Sequence, residues 1–540
     1  MKKLSVIGMS ALLVAVAAAG CSDDETDNPG KPTAGTDAGG DSGGGKTGVA
    51  GKGGNVAVAG KSGNTNTGGV ETTPGGADNT GGVDNTPNAG AGGGGTVEPT
   101  CDDVYADRAA GKQEIPHDAE GNITSDHLTS DTIWTLGGRW FVKPGHTLTI
   151  DPCTLIEATG KPNAGSLFVP QDAKIHAVGT PNAPIVFTTE SHVFEADAPW
   201  GGLVLVGKAP VARLNETPTY TRTYEGYTDP RTQFGLPDPA DFDANDSSGE
   251  VEYVRIEFGG DIIVADKEVN GMSFCGVGAG TTIDHVMIKD QKDDCFEWFG
   301  GTVNADHLIC QNSGDDMFDT DLGFKGHLQY LFGRNLVEGS SSDPNGFEWD
   351  GDQDDLIAPA DEVSMPMVSN VTLCGLNMAG LSGSNGAVLR RSIGKGTSIL
   401  NAIFTGWDNG LDLRNSVGTN ADPFVSLTNS LFFDQLKANG QSATDDDSVP
   451  ALGTDKALKG DSAFIEDTYL AVVANNDTLG GTAPAGFACG ADGEQPSAPT
   501  AAVAGGTPGT GFDKTAKFIG AGDFAGDGWN SGTWIEWKSE

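Results

Sequence analysis

From Ile133 onward the chain reads as short apolar runs broken by Gly, Pro, Asn and Asp. Residues 146–150 and 183–188 have strand composition, and so do VEYVRIEF (251–258), DHVMIKD (284–290), DHLICQN (306–312), LQYLFGRN (328–335), SNVTLCGL (369–376) and SILNAIFTG (398–406). No stretch of this body shows helical periodicity. A 17-residue block repeats at an offset of 22: IDHVMIKDQKDDCFEWF (283–299) against ADHLICQNSGDDMFDTD (305–321). His285 falls on His307, Asp293 and Asp294 on Asp315 and Asp316, Phe296 on Phe318, and Glu297 on Asp319. A period near 22 with short strands is what one coil of a stacked β-solenoid needs. Equal positions then sit above one another at the strand spacing of about 4.8 Å. The fixed offset argues against a sandwich, and a propeller blade would repeat at roughly 40–50 residues. The expected fold is all-β, a right-handed parallel β-helix preceded by a disordered linker.

Each strand has only a few inward apolar residues, so one coil cannot fold alone, whereas stacked coils bury a continuous core. Residues 209–250 are Pro-, Asp- and Tyr-rich and read as a long surface excursion. Residues 338–366 and 434–465 read as further insertions, and 475–515 are again rich in Gly, Ala and Pro. The closing GWNSGTWIEW is aromatic and is expected to cap an open end of the stack, which would otherwise expose unpaired strand edges. The expected organisation is a signal segment over 1–20, a tether over 21–100, a β-helix over 101–480, and a Gly/Ala/Pro-rich segment with an aromatic cap over 481–540.

The start, MKKLSVIGMSALLVAVAAAGC, has two lysines, an apolar run and a small-residue cleavage site. It reads as a secretory signal, too short for a membrane span. The Cys after Ala-Ala-Gly matches a bacterial lipobox, so Cys21 is the expected acylated residue, carrying palmitate-type chains. Ser22, where an Asp would favour inner-membrane retention, points to the outer membrane and the cell surface. Residues 22–100 hold almost no large apolar side chains and cannot offset ordering entropy. As a flexible tether they would reach about 50 Å.

The net charge of −43 argues against nucleic acid as a partner, since that needs a basic face. It fits solubility outside the cell and divalent cations. Eight cysteines are present; with Cys21 acylated seven remain, so at least one is unpaired or pairs between chains. Cys101 and Cys153 are candidates for a staple at the N-terminal entrance. Cys310 aligns with the inward Ile288 and reads as a small core residue.

Several segments carry a family resemblance: VKPGHTLTIDPCTLI (142–156), APWGGLVLVGKAPV (198–211), VEYVRIEFGG (251–260), DDCFEWFGGTVN (293–304), GDDMFDTDLGFKG (314–326) and FIGAGDF…GWNSGTW (518–534). Together they resemble a family of secreted or surface β-helix lipoproteins of Gram-negative bacteria, with a pectate-lyase-like fold, over roughly residues 125–540. The resemblance implies a fold and a location but no settled activity. Cys153 stands where that family's turn usually has Gly, which supports a local disulfide.

Four places carry a related turn-strand unit: Asp293–Glu297, Asp315–Asp319, Asn345–Glu348 and Asp408–Asp412. Phe296, Phe318, Phe347 and Leu411 should point inward and the flanking acids outward. Stacked outward acids repel unless a cation or hydrogen bond compensates. Carboxylates and carbonyls in loops suit calcium, with Asp293, Asp294, Asp315, Asp316, Glu297 and Asp319 as candidate ligands. The alternative is that each Asp closes an Asx-turn on its own backbone.

No catalytic residues are assigned; the leading reading is a binding or scaffold module for a glycan or surface protein. The alternative is a polysaccharide lyase or hydrolase using Asp293, Asp294, Asp315, Asp316 and Arg414. KDQKDDCFEW (289–298) resembles the paired-Asp segment of polygalacturonases, which hydrolyse glycosides with two carboxyl groups. Their following Gly-His-Gly is here Gly326-His327-Leu328, and the Arg255-Ile256 pair precedes the acids. A lyase would need calcium plus an Arg or Lys base, and Arg390, Arg391 and Arg414 lie near Asp408 and Asp412 in sequence. His285 and His307 share a coil position and are either a transition-metal pair or surface histidines. Trp298, Trp349 and Trp407 lie beside acids and are either sugar-stacking platforms or core.

Overall fold

The computed structural model describes residues 99–539, apart from 161–163, 196–198, 214–218, 265–266, 340, 342–343, 351–361, 378–385, 392–395, 408–409, 415–424, 435–482 and 523–528. The signal segment, Cys21, the tether and Asp408 lie outside the described residues.

The body is a parallel β-helix. Parallel strands stack coil on coil into a fifteen-stranded and a nine-stranded sheet. The 22-residue offset is a true register: Asp284 pairs with Asp306, Val286 with Leu308, Ile288 with Cys310, Phe296 with Phe318, and Glu297 with Asp319. Inward positions form columns. Val254, Val286, Leu308, Leu331, Val371 and Ala402 follow one another across the long sheet, all fully buried. Phe296 stacks on Phe318 at 5.4 Å between ring centroids.

The long strands of the larger sheet each serve two faces. Gly249–Glu257 pairs through its first half with Lys174–Val178 and through its second with Ile185–Thr189. The bend falls on Tyr253, whose φ is +52°. The same corner recurs at His285, His307, Tyr330, Asn370, Asn401 and Asn429, with φ between +52° and +62°. The ladder skips these residues: Glu252 pairs with Asp284 and Val254 with Val286. Left-handed backbone disfavours L side chains, so the column needs outside support.

That support comes from the C-terminal segment. The Asn370 amide donates to the Phe518 carbonyl at 2.7 Å, and Asn401 exchanges two bonds with the Gly506 backbone. Tyr330 Oη donates to Asp513 at 2.7 Å, and His285 lies against Trp534. Arg334, fully buried, donates to the carbonyls of Cys489, Glu494 and Trp537. The outward Met287, Ile309 and Phe332 are buried beneath Trp534, Ile535 and Trp537. The aromatic terminus therefore straps the flank of the coils rather than closing their end. The apolar outer face of the sheet is what it covers.

The excursion after Val206 is plastered on the outer face of the nine-stranded sheet. Tyr224, Tyr227 and Phe234 pack on outward Phe141, Phe168, Val204, Cys275 and Phe299. Its beginning meets the next insertion through a forked Arg213–Glu362 pair.

Cys101 is bonded to Cys153, as anticipated; Cys153 has φ +67°, where a glycine would be at ease. Cys374 is bonded to Cys489, and Cys275 is buried and free. Cys310 is inward as expected but is not a plain core residue, since it is bonded to Cys295. Residues 15 apart in sequence meet because the chain turns a corner and crosses the interior.

Candidate metal centre

Asp293–Asp294 and Asp315–Asp316 stand at the same corner of successive coils, just before Phe296–Phe299 and Phe318–Asp321. The corners stack closely because of Gly314, where a Cβ would come within 2.1 Å of the Lys292 carbonyl. Asp294 Oδ1 accepts the Asp316 N–H at 2.8 Å, and Asp316 Oδ1 accepts the Asn345 N–H at 2.5 Å. Asn345 Oδ1 in turn accepts the Gly386 N–H at 3.1 Å. The expected turn bond exists in another form: each side chain caps the next coil's backbone, not its own.

On the strands, Glu297, Asp319 and Glu348 are paired residue to residue and face outward. Two more carboxylates arrive from distant sequence, Glu225 from the excursion and Glu268 from the hairpin of Ile262–Val264 with Lys267–Glu268. The result is a cleft of about 230 Å³ lined by Glu225, Glu268, Asp293, Asp294, Glu297, Asp315, Asp316, Asp319, Asp321 and Glu348, with Lys267 and Phe299. Lys267 lies 3.7 Å from Glu225. Potential ligand oxygens of Asp293, Asp294 and Asp315 fall within 4.8 Å of one another, as do those of Asp294, Asp316 and Asp319.

The electrostatics follow from crowding. Two like charges about 4 Å apart repel by roughly 4 kcal/mol at a near-surface dielectric. One lysine cannot offset ten carboxylates. Burial, reinforced by neighbouring acids, pushes Asp293, Asp294, Glu297 and Asp316 well above the usual carboxylate range. Burial also lifts Glu225 to about 7, against the pull of Lys267. Such a cleft either holds protons or holds a cation. Its donors are all oxygens, which suits a hard divalent ion.

All six acids expected as ligands meet here. Glu225 and Glu268 were not signalled, since neither belongs to a repeated unit. The side chains of Arg390, Arg391, Asp412 and Arg414, and with them the base candidates of the lyase arrangement, lie outside the described residues. Arg255 is not a site residue: its guanidinium donates to buried Glu257 at 2.7 Å and to the strap at Thr533.

The tryptophan expectation is corrected. Trp298, Trp349 and Trp407 are each 0% exposed and line the core. Trp298 and Trp349 lie two residues beyond inward phenylalanines, which puts them on the same face of the strand. They are not stacking platforms. His285 and His307 stack at 4.3 Å, and both Nδ1 atoms contact the one Asp284 oxygen, at 2.9 and 2.7 Å. His307 Nδ1 hydrogen-bonds that carboxylate, whereas His285 Nδ1 approaches it without a well-formed hydrogen bond, and the three side chains lie close enough together to hold a metal ion.

The model of the pectate-lyase like beta helix domain matches residues 121–469, more than half of the chain. The protein belongs to this family. No curated protein and no solved structure gives a match. This member of the pectate-lyase-like β-helix family places its acids at stacked corners and on the outer face of the smaller sheet.

Proposed function

We propose that this β-helix is a lipid-anchored cell-surface module that binds calcium in the acidic cleft and engages a polysaccharide there. The observation that carries the reading is the convergence of ten carboxylates with one lysine on a single open cleft. Calcium takes six to eight oxygens, in flexible geometry, and leaves room for ligand hydroxyls or carboxylates. A bound ion also lets a protein of charge −43 approach a negatively charged glycan. Cys21 would supply the anchor and residues 22–100 the reach. Among the described residues no helix is long and apolar enough to cross a membrane.

A hydrolytic reading has one observation on its side: Glu225, lifted to about 7, would hold a proton near neutral pH, as a general acid must. One experiment separates the two. The purified protein is titrated with calcium chloride by calorimetry, then passed over immobilised acidic and neutral polysaccharides with calcium or EDTA. New reducing ends and unsaturated products are followed throughout. Calcium binding that disappears in the Asp294→Asn/Asp316→Asn double variant, with calcium-dependent retention and no products, is the expected result. No calcium binding by the parent protein overturns the reading. Product formation lost in the same variant replaces binding with catalysis.

A further inference from the structure

The corner column of the larger sheet changes chemistry along its length. Asn370 and Asn401 spend their side-chain amides on main-chain groups of the strap, and Tyr330 bonds Asp513. His285 and His307, on successive coils, instead meet the strap through the rings of Trp534 and Trp529, at 5.4 and 5.0 Å. They sit inside a stack: Tyr253 lies on His285 at 4.4 Å and His307 on Tyr330 at 4.5 Å. The stack brings both Nδ1 atoms to one side, at Asp284 Oδ1.

The hydrogen bond to Asp284 explains one of these histidines and not the other. His307 Nδ1 bonds the carboxylate at 2.7 Å. His285 is only 8% exposed, and its Nδ1 has no well-formed hydrogen bond among the described residues. A buried nitrogen in that condition carries a desolvation cost that a partner would remove. Potential ligand atoms of Asp284, His285 and His307 all fall within 4.8 Å of one another. Further carboxylates flank the set: Asp284 pairs with Glu252 on the rung before and with Asp306 on the rung after. Both are half-buried, so their charge is poorly screened. The side chains of Asp284 and His307 are 32% and 20% exposed, which gives the set an open side although His285 is covered.

We propose that Asp284, His285 and His307 bind a divalent first-row transition ion of the zinc type. Two imidazoles and a carboxylate form a mixed nitrogen–oxygen donor set, which suits such ions, whereas the all-oxygen cleft suits calcium. The ligands would be Nδ1 of each ring and an oxygen of Asp284, with water on the open side. The two nitrogen–oxygen gaps, 2.9 and 2.7 Å, would widen by about half an ångström to admit an ion at zinc distances. The ring planes, 24° apart, would splay further so that both nitrogens face the ion, a turn about each Cβ–Cγ bond. The ion would tie two successive coils together beneath the strap. The set lies on the larger sheet and shares no residue with the acidic cleft, so the two readings stand or fall separately.

The test is calorimetry of the full-length protein with zinc chloride, in excess calcium chloride so that the acidic cleft does not compete. Visible absorption of added cobalt(II) is the second readout. One equivalent of zinc should bind, and cobalt(II) should show the ligand-field bands of a site with nitrogen donors. His285→Asn and His307→Asn should each weaken zinc by about a hundredfold, at or beyond the loss that outer partners of a metal give. Asn already stands at this corner, in the same left-handed backbone, at Asn370, Asn401 and Asn429. Zinc should raise the thermal midpoint of the parent and leave those of the histidine variants unmoved. Asp284→Asn, at a partly exposed position, should weaken zinc as well and carries the test if a histidine variant fails to fold. Asp294→Asn/Asp316→Asn should bind zinc as the parent does. No zinc binding by the parent, or binding that survives the Asp284 and histidine substitutions, would overturn the proposal.

Discussion

At Asp294 one carboxylate oxygen is committed to the Asp316 N–H, and the charge on the group is repelled by its neighbours. The two effects can be separated by substitution. Asp294→Asn keeps an acceptor for the amide and removes charge. Its thermal midpoint in EDTA should equal or exceed the parent's, while the calcium-induced rise should shrink. Asp294→Ala leaves a buried N–H unsatisfied and should cost about 1–3 kcal/mol in urea denaturation, with or without calcium. Equal effects of the two would mean the charge is not why Asp stands there. Asp284 gives a pH signature of the opposite kind. Burial pushes its carboxyl up, but the His307 hydrogen bond and the adjoining His285 imidazole outweigh this and bring it to about 2. A carboxyl with a depressed folded value contributes stability above its unfolded value and loses it as pH falls. That contribution should be complete above about pH 4 and disappear towards pH 2. Asp284→Asn should flatten this part of the acid limb of a urea-midpoint curve.

Among the elements, the strap and the corner column depend on each other. The disulfide Cys374–Cys489 ties the strap to the coils across 115 residues of sequence. Loop-entropy arguments put such a crosslink at about 4–5 kcal/mol, less any native strain. Cys489→Ser should lower the unfolding free energy by an amount of that order. It should also expose the strap to limited proteolysis before the coils. If the strap stays as protected as in the parent, its side-chain bonds alone hold it. The coils were legible in the sequence because inward positions must match from one coil to the next: Phe296 over Phe318, Ile288 over Cys310. The strap was not, because many of its bonds use main-chain carbonyls such as those of Phe518, Gly506 and Trp537, which leave no residue pattern. The acidic cleft was half legible. Its paired aspartates repeat, whereas Glu225 and Glu268 come from excursions with no period. The tryptophans, left between platform and core, had a usable signal, since strand alternation places Trp298 on the side of Phe296.

At the scale of the whole molecule, a charge of −43 acts on stability as well as on partners. Self-repulsion opposes the compact state, and salt screens it. Raising sodium chloride in EDTA should therefore raise the thermal midpoint, while the apparent calcium affinity falls. A midpoint insensitive to salt would mean the surface charges are too dispersed to matter. The strap has a further consequence, for how the molecule is made. Trp534 donates its N–H to the Pro181 carbonyl, and Thr533 accepts from Arg255. Residues synthesised late thus complete coils synthesised early. A chain emerging N-terminus first, from a ribosome or through a secretion channel, can wind its coils in order. Until the tail arrives, however, it must present Met287, Ile309 and Phe332 bare to its surroundings. Winding the coils therefore does not by itself finish the molecule; the flank closes only when the strap lies down on it.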